Sequence, residues 1–415
     1  MGMENRYDKY KDSGIVWIGE IPEHWEKICL KRLSNINTGN QDTQDSVPDG
    51  KYPFFVRSPK VEKSNKYTFE GASILMAGDG VGAGKVFHLA DDKFACHQRV
   101  YCINQFKNIN RIYLFYYLSS LFYHVIESAN SKSTVDSVRL PMLAEFTVFM
   151  PLDFEQQSIA TYLDQKCSEI DELITLQEEM ITKLQSYKQS VITEAVTKGL
   201  DKNVPLKDSG IEWIGEIPEH WNVIKIKNTF KIVSGATPKT DNMTYWDGEI
   251  TWITPADYKT EDRIIKSGKR NITLAGLNSC GTSIVPENSI IFSKRAPIGL
   301  VAINIIPLCT NQGCISCIPK SFVSSKYFYY LMSILTEWFE LFGSGTTFKE
   351  LSANNFANFS LSQPPLAEQQ SIANYLDQKC SEIDELISIK QQKIEKLKDY
   401  KKSLIFECVT GKRKV

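Results

Sequence analysis

The sequence predicts an α+β protein built twice over, each copy a mixed domain of strands and one helix followed by a long helix. Two observations carry this. The stretch KDSGIVWIGEIPEHW at residues 11–25 returns at 207–221 with one change, and residues 155–174 return at 368–387 with one change. A long internal repeat turns 415 residues into two copies of one unit. The offsets are 196 (207 minus 11) and 213 (368 minus 155), so the second copy holds 17 more residues between its matching blocks (213 minus 196). The other observation is an apolar stripe after each mixed domain, described below.

The repeated frame divides the chain into a leader at 1–25, a mixed domain at 26–150, and a long helix with linker at 151–205. A second leader follows at 206–221, a second mixed domain at 222–362 and a second helix at 363–415. Matching blocks enclose two interiors that are hard to align, the pattern expected of one scaffold carrying two exchangeable recognition surfaces. With 42% apolar and 23% charged residues the composition is ordinary globular usage, which argues against disorder. The most apolar stretch, residues 112–126, is too short to cross a membrane, and like its counterpart at 327–342 it reads as a packed helix. No basic-then-apolar leader opens the sequence, and Met1-Gly2-Met3 has the look of a cloning scar. A cytoplasmic protein is expected. The ten cysteines sit mostly in apolar runs, as buried reduced thiols do, and Cys314 with Cys317 has only half of a zinc spacing, so neither disulfides nor metal is expected.

The helices are the best determined elements. Ile159, Leu163, Ile170, Ile174, Ile181, Leu184, Tyr187, Val191 and Ala195 follow a three-to-four spacing, and adding 213 reaches Ile372, Leu376, Ile383, Ile387, Ile394, Leu397, Tyr400, Leu404 and Cys408. A stripe kept while outward positions diverge predicts a seam between the two helices, with Ile170, Ile174, Ile181, Leu184, Ile383, Ile387, Ile394 and Leu397 at its centre. Roughly 40 residues give a rod of about 60 Å, a ruler rather than a small core element. Pro151 and Pro364-Pro365 set the entries, Glu155 and Glu368 suit the positive first turn, and Gly199 and Gly411 mark the stops. The acidic run Glu169, Asp171 and Glu172, copied at Glu382, Asp384 and Glu385, reads as a solvated face or a surface for a protein partner.

Within the domains, residues 72–77 and 289–292 read as strands, as do 97–103 and 311–318, each of the latter pair following a turn. YLFYYL at 113–118 matches YFYYLM at 327–332, and Cys96-His97-Gln98 falls where Thr310-Asn311-Gln312 would, so the interiors share an ancestral fold. Catalytic motifs dissolve on inspection. GDGVGAGK at 78–85 has Asp79 where a phosphate loop needs its first glycine and Val86 where it needs Ser or Thr, which leaves a glycine-rich hairpin. Gln363-Pro-Pro-Leu366 lacks the aromatic with which amino-methyltransferases stack on a flipped base. His24 and His220 in the leaders read as structural, His88, His97 and His124 lack metal spacing, and no nucleophile and base pair is visible.

These features together resemble the specificity subunit of type I restriction-modification systems over essentially the whole chain. The residues that carry the resemblance are WIGEIPEHW at 17–25 and 213–221, PPLAEQQSIA at 364–373, and LDQKCSEID at 163–171 and 376–384. The second domain adds SGATP at 234–238, Tyr245-Trp246 and TNQG at 310–313. The resemblance implies two target recognition domains related by pseudo-two-fold symmetry and joined by two long antiparallel coiled-coil helices, each domain reading half of a split, asymmetric DNA site. It implies a non-catalytic subunit that docks two modification subunits, which methylate adenine, and through them restriction subunits. No cofactor is expected in this chain; S-adenosylmethionine, ATP and magnesium belong to the partners. The competing reading is a coiled-coil interaction scaffold without DNA specificity.

The net charge of −1 fits a DNA binder only because the charge is local. Residues 26–150 hold 15 basic and 12 acidic side chains, and residues 222–360 hold 14 and 10. Candidate DNA contacts are Arg57, Lys60, Lys66, Lys85 and Arg99 in the first domain, and Lys239, Lys266, Lys269, Arg270, Lys294 and Arg295 in the second. For base edges the turn residues His97, Gln98, Arg99, Asn311 and Gln312 stand out, because Asn and Gln suit adenine and Arg suits guanine.

Overall fold

A computed structural model describes residues 6–129, 137–258, 263–345 and 349–415; the opening Met1-Gly2-Met3 lies outside them. The chain forms two compact units that do not follow its linear order: residues 1–178 with 391–415, and residues 179–390. Each therefore takes its own share of both long helices, Asp153–Lys198 and Leu366–Val409, which at 46 and 44 residues exceed the 40 read from the stripe.

Short, nearly continuous apolar runs, buried on both faces at the centre, build the same sheet in each unit. In the first, Asn35–Thr38, Val100–Asn104, Ser73–Ala77 and Phe87–Ala90 lie side by side in that order, every neighbour antiparallel. In the second, Phe230–Ser234, Cys314–Pro319, Ile290–Lys294 and Ile298–Asn304 repeat the order and add Ile264–Ile265 at the edge. The glycine-rich segment 78–85 joins two antiparallel strands, as its composition predicts. A smaller sheet in each unit contributes one parallel pairing, Tyr52–Phe55 with Lys93–Cys96 and Trp246–Ile253 with Cys309–Thr310. The extra residues of the second copy fall between these sheets. Phe55 and Ile74 are 19 positions apart (74 minus 55), whereas their register equivalents Ile253 and Ile290 are 37 apart (290 minus 253). The insertion carries the edge strand and the short helix Leu274–Asn278.

The apolar stretch 112–126 is one helix, Arg111–Ala129, but its counterpart is broken into Ser325–Ser333 and Thr336–Leu341. Thr336 packs there on Gly299, where a Cβ would lie 2.6 Å from its methyl group. Cys314 and Cys317, three apart on one strand, enter different apolar clusters because side chains alternate faces, so the spacing does not converge. No helix among the described residues is long and apolar enough to cross a membrane.

The two long helices meet inside each unit, head to tail. Lys401 reaches Asp171 at 2.6 Å in the first unit and Lys188 reaches Asp384 at 2.7 Å in the second, the same pair exchanged between helices. Of the predicted seam, Ile170, Ile383 and Ile394 are buried, and Ile174, Ile181, Leu184, Ile387 and Leu397 are half-buried. Tyr187 and Tyr400 are a correction: they are 57% and 51% exposed, at the rim where a phenol keeps its hydroxyl in water.

The leaders explain why the repeated frame is so nearly invariant. Each forms a short hairpin, Tyr10–Asp12 with Glu20–Pro22 or Leu206–Asp208 with Glu216–Pro218, ending in a fully buried tryptophan, Trp25 or Trp221. Each tryptophan packs on a glycine in the left-handed region at a helix stop, Gly411 (φ +70°) or Gly199 (φ +76°). His24 and His220 bond the first-turn carboxylates Glu155 and Glu368 at 2.9 and 2.8 Å. A Cβ on Gly411 would lie 2.3 Å from Pro22 Cδ, whereas one on Gly14, also left-handed, meets nothing within 4 Å. Gly411→Ala is therefore expected to cost about 2 kcal/mol more than Gly14→Ala, the overpacking term alone, in denaturant titrations of the full chain. Equal losses would show that the contact yields.

Candidate nucleic-acid interface

Backbone hydrogen bonds align the two unlike interiors at the turns that the sequence singles out. His97 N–H donates to Phe55 O at 3.0 Å, and Asn311 N–H donates to Ile253 O at 2.8 Å. Gly39 and Gly235 lie under these turns: a Cβ on Gly39 would be 1.9 Å from Cys96 O, and one on Gly235 would be 2.1 Å from Asn311 O. Only glycine allows the backbone to come so close. The turn is thus seated identically while its side chains differ.

In the first unit the turn is held by Asp42. Its carboxylate accepts from Gln98 Nε2 at 3.0 Å and contacts His97 Nε2 at 3.3 Å, while Arg99 N–H donates to His97 Nδ1 at 2.9 Å. With Nδ1 accepting, Nε2 carries the proton toward Asp42. The Thr43 N–H, with His97, holds the Asp42 carboxyl below its ordinary range. His97 is only 2% exposed, so the structure makes it the support of the turn and leaves Gln98 and Arg99 exposed. Arg57 joins them through Asp79, whose carboxylate lies 3.1 Å from Arg57 and 3.6 Å from Arg99. Lys60 is exposed nearby in sequence, and Lys85 stacks over Tyr123 at 4.3 Å.

In the second unit Gln312 accepts from the Thr237 hydroxyl and Asn311 Oδ1 accepts from Gly313 N–H at 2.8 Å. Lys294 and Arg295 share Glu350, at 2.7 and 3.0 Å, and Lys294 holds that carboxyl below its ordinary range. Lys239 is exposed, with its carbonyl accepting from Trp246 Nε1 at 3.1 Å. Arg270 stacks on Trp246 at 3.8 Å. Sequence reasoning missed Asp42, Asp79, Glu350 and Thr237, the partners that fix the pose of the named residues. Polar groups of this kind show no period, and spacing gives no signal for them.

A second feature lies on the helices, again in both units. Tyr116 donates to Asp164 at 2.9 Å and Tyr330 donates to Asp377 at 2.8 Å, each beside a cleft lined by Cys167 and Asp171 or by Cys380 and Asp384. The first cleft holds about 790 Å³ and the second about 590 Å³. In the second, Arg263 and Lys326 also bind Asp377, and with Tyr330 they hold its carboxyl below the ordinary range against the opposing effect of burial. Leu176 lines the first cleft, and exposed apolar residues recur at equivalent helix positions, Leu173 and Leu176 on one helix and Leu386 and Ile389 on the other, 42–52% exposed.

The family model for the type I restriction modification DNA specificity domain matches residues 22–185 and again 218–399, most of the chain. The chain belongs to the type I specificity subunit family. Among relatives, the MjaIX specificity subunit of Methanocaldococcus jannaschii is 41% identical over 44% of this chain and 42% of its own length. The putative MjaX specificity subunit of the same organism is 28% identical over 96% of both chains. The EcoDI specificity subunit of Escherichia coli is 23% identical over 87% of this chain and 82% of its own. In fold, the chain is similar to one in a solved structure of type I R-M complex assembly and conformational transition, with a TM-score of 0.73, 16% identity, and coverage of 94% of this chain and 99% of that one. The HsdS subunit from Thermoanaerobacter tengcongensis gives a TM-score of 0.55 at 16% identity, covering 94% and 98%. As a specificity subunit the protein carries two recognition domains, and the turns at 97–99 and 311–313 are equivalent points on them.

Gly39→Ala and Gly235→Ala are each expected to displace one turn and to cost about 3 kcal/mol, as overpacking against backbone does. Hydrogen exchange of the full chain checks this: protection should fall around the altered turn and persist around the other.

Proposed function

We propose that this specificity subunit is a non-catalytic DNA reader whose two recognition domains each read one half of a split, asymmetric site. The observation that carries the reading is the pair of turns, seated by the same backbone contacts and bearing Gln98 and Arg99 in one domain and Asn311 and Gln312 in the other. These are side chains that pair bidentately with adenine and guanine edges, and Arg57, Lys60, Lys85, Lys239, Lys294 and Arg295 serve as phosphate or base contacts around them. Loss of one bidentate contact removes about 1–3 kcal/mol of discrimination. Arg99→Ala should therefore relax the specificity of one half-site about tenfold or more, leaving the other intact. Exchange of residues 222–362 for the interior of a relative should change the opposite half-site alone. Methylation mapping in cells carrying the partner subunits reads both results, and a variant that alters both halves together would contradict independent reading.

The catalysis is assigned to partners. Two modification subunits dock on the long helices and methylate adenine from S-adenosylmethionine, and restriction subunits using ATP and magnesium join through them. Support comes from the family and from the exposed apolar residues repeated at equivalent helix positions, Leu173 with Leu386 and Leu176 with Ile389. Leu173→Lys with Leu176→Lys should abolish capture of one modification subunit while leaving the chain folded. Mass photometry of the reconstituted complex would then show one copy lost; full occupancy would place the docking surface elsewhere.

A further inference from the structure

The described DNA-facing surfaces share one more arrangement, and it is reached by different residues in the two domains. Val138 N–H donates to Gly78 O at 2.7 Å and Leu351 N–H donates to Lys294 O at 2.9 Å. Gly78 N–H and Lys294 N–H donate at 2.8 Å to Arg99 O and Gly313 O. Position 78 is thus equivalent to 294, 79 to 295, and 137 to 350, as the isolated bridges Asp79 with Ser137 and Arg295 with Glu350 also require. At the first of the bridged positions one domain has an acid, Asp79, and the other a base, Arg295. At the second, one domain has Ser137 and the other the acid Glu350. The acid sits at the opposite bridged position, yet each domain ends with one carboxylate between two cations: Asp79 between Arg57 and Arg99, and Glu350 between Lys294 and Arg295.

In the first domain stability is a poor explanation, because Arg57 and Arg99 are 46% and 62% exposed and such pairs add little to folding, whereas in the second Lys294 is 15% exposed and Arg295, at 38%, is the outward cation. A fold requirement would also have kept the acid on one strand. In the first domain the carboxylate is recessed, 22% exposed against 46% for Arg57 and 62% for Arg99, so it stands behind the guanidinium groups and leaves them facing outward. A long cation fixed before DNA arrives loses less rotamer freedom on binding. A carboxylate beside it also opposes the sequence-blind attraction of phosphate.

Resting on the reading above, we infer that Asp79 and Glu350 are positioning residues for specificity, each ordering two cations of its own domain and restraining their hold on DNA of the wrong sequence. The test uses the full chain assembled with its modification subunits, the cognate duplex, two duplexes with one half-site scrambled, and an unrelated duplex, followed by fluorescence anisotropy. D79N is expected to bind unrelated DNA about threefold more tightly, with a salt slope steeper by about one. Its discrimination should fall roughly tenfold at one half-site and stay at the wild-type level at the other, and D79E should restore part of it. E350Q should do the same at the opposite half-site, and it carries the test if D79N does not fold. Wild-type discrimination in both variants would overturn the inference, as would an equal loss at both half-sites from either folded variant. Relaxation at a single base pair with unrelated DNA unaffected would overturn it too, since the carboxylate would then be reading the base itself. A wild-type complex that shows no half-site discrimination would fail the reading on which this rests.

Discussion

Each mixed domain closes its core with the last turns of the long helix that belongs to the other repeat. The first recruits Leu404, Cys408 and Val409 from the last turns of the second long helix, and the second recruits Ile192, Ala195 and Val196 from the last turns of the first. A buried tyrosine fixes each join: Tyr113 donates to Phe149 O at 2.7 Å and Val409 O at 3.4 Å, and Tyr327 donates to Val196 O at 3.0 Å. Burial pushes both phenols well above their ordinary range, so they remain hydroxyl donors. The Val409 and Val196 carbonyls belong to helix ends, where backbone acceptors lack intrahelical partners, and Phe149 O lies on the strand Thr147–Met150. Removing the hydroxyl would cost a buried hydrogen bond at each join, and at the second the Ser362 hydroxyl, 3.3 Å from Val196 O, would remain.

Around that join the repeated residues make sense as one device. The leader tryptophan, the helix-stop glycine and the histidine on the first-turn glutamate all serve to seat a helix end. None of them touches the turns at 97–99 or 311–313.

Much of this was legible beforehand because it has a period. Apolar residues at three-to-four spacing gave the long helices, prolines and glycines gave their ends, and the offset between repeats gave the correspondence of His97 with Asn311. What periodicity cannot show is which side of a stripe tips toward water, hence the exposed Tyr187 and Tyr400. Nor can it show that the second domain's helix stops at Ser333 and restarts at Thr336. The candidate interface was legible in part. Types and turns pointed to Gln98, Arg99, Asn311 and Gln312, but the burial of His97 and the ties from Asp42, Asp79 and Glu350 arise from long-range contacts that leave no local pattern.

The glycines beneath the turns set the terms on which such domains can diversify. Gly39 and Gly235 let the backbone approach closely beneath each turn, and His97 in one and Asn311 in the other tie the turn to itself, so the remaining side chains are not needed for its shape. Exposed residues on it can then be exchanged at little thermodynamic risk. Folding and preference are inherited separately, and a lineage can explore new preferences without first surviving an unstable intermediate.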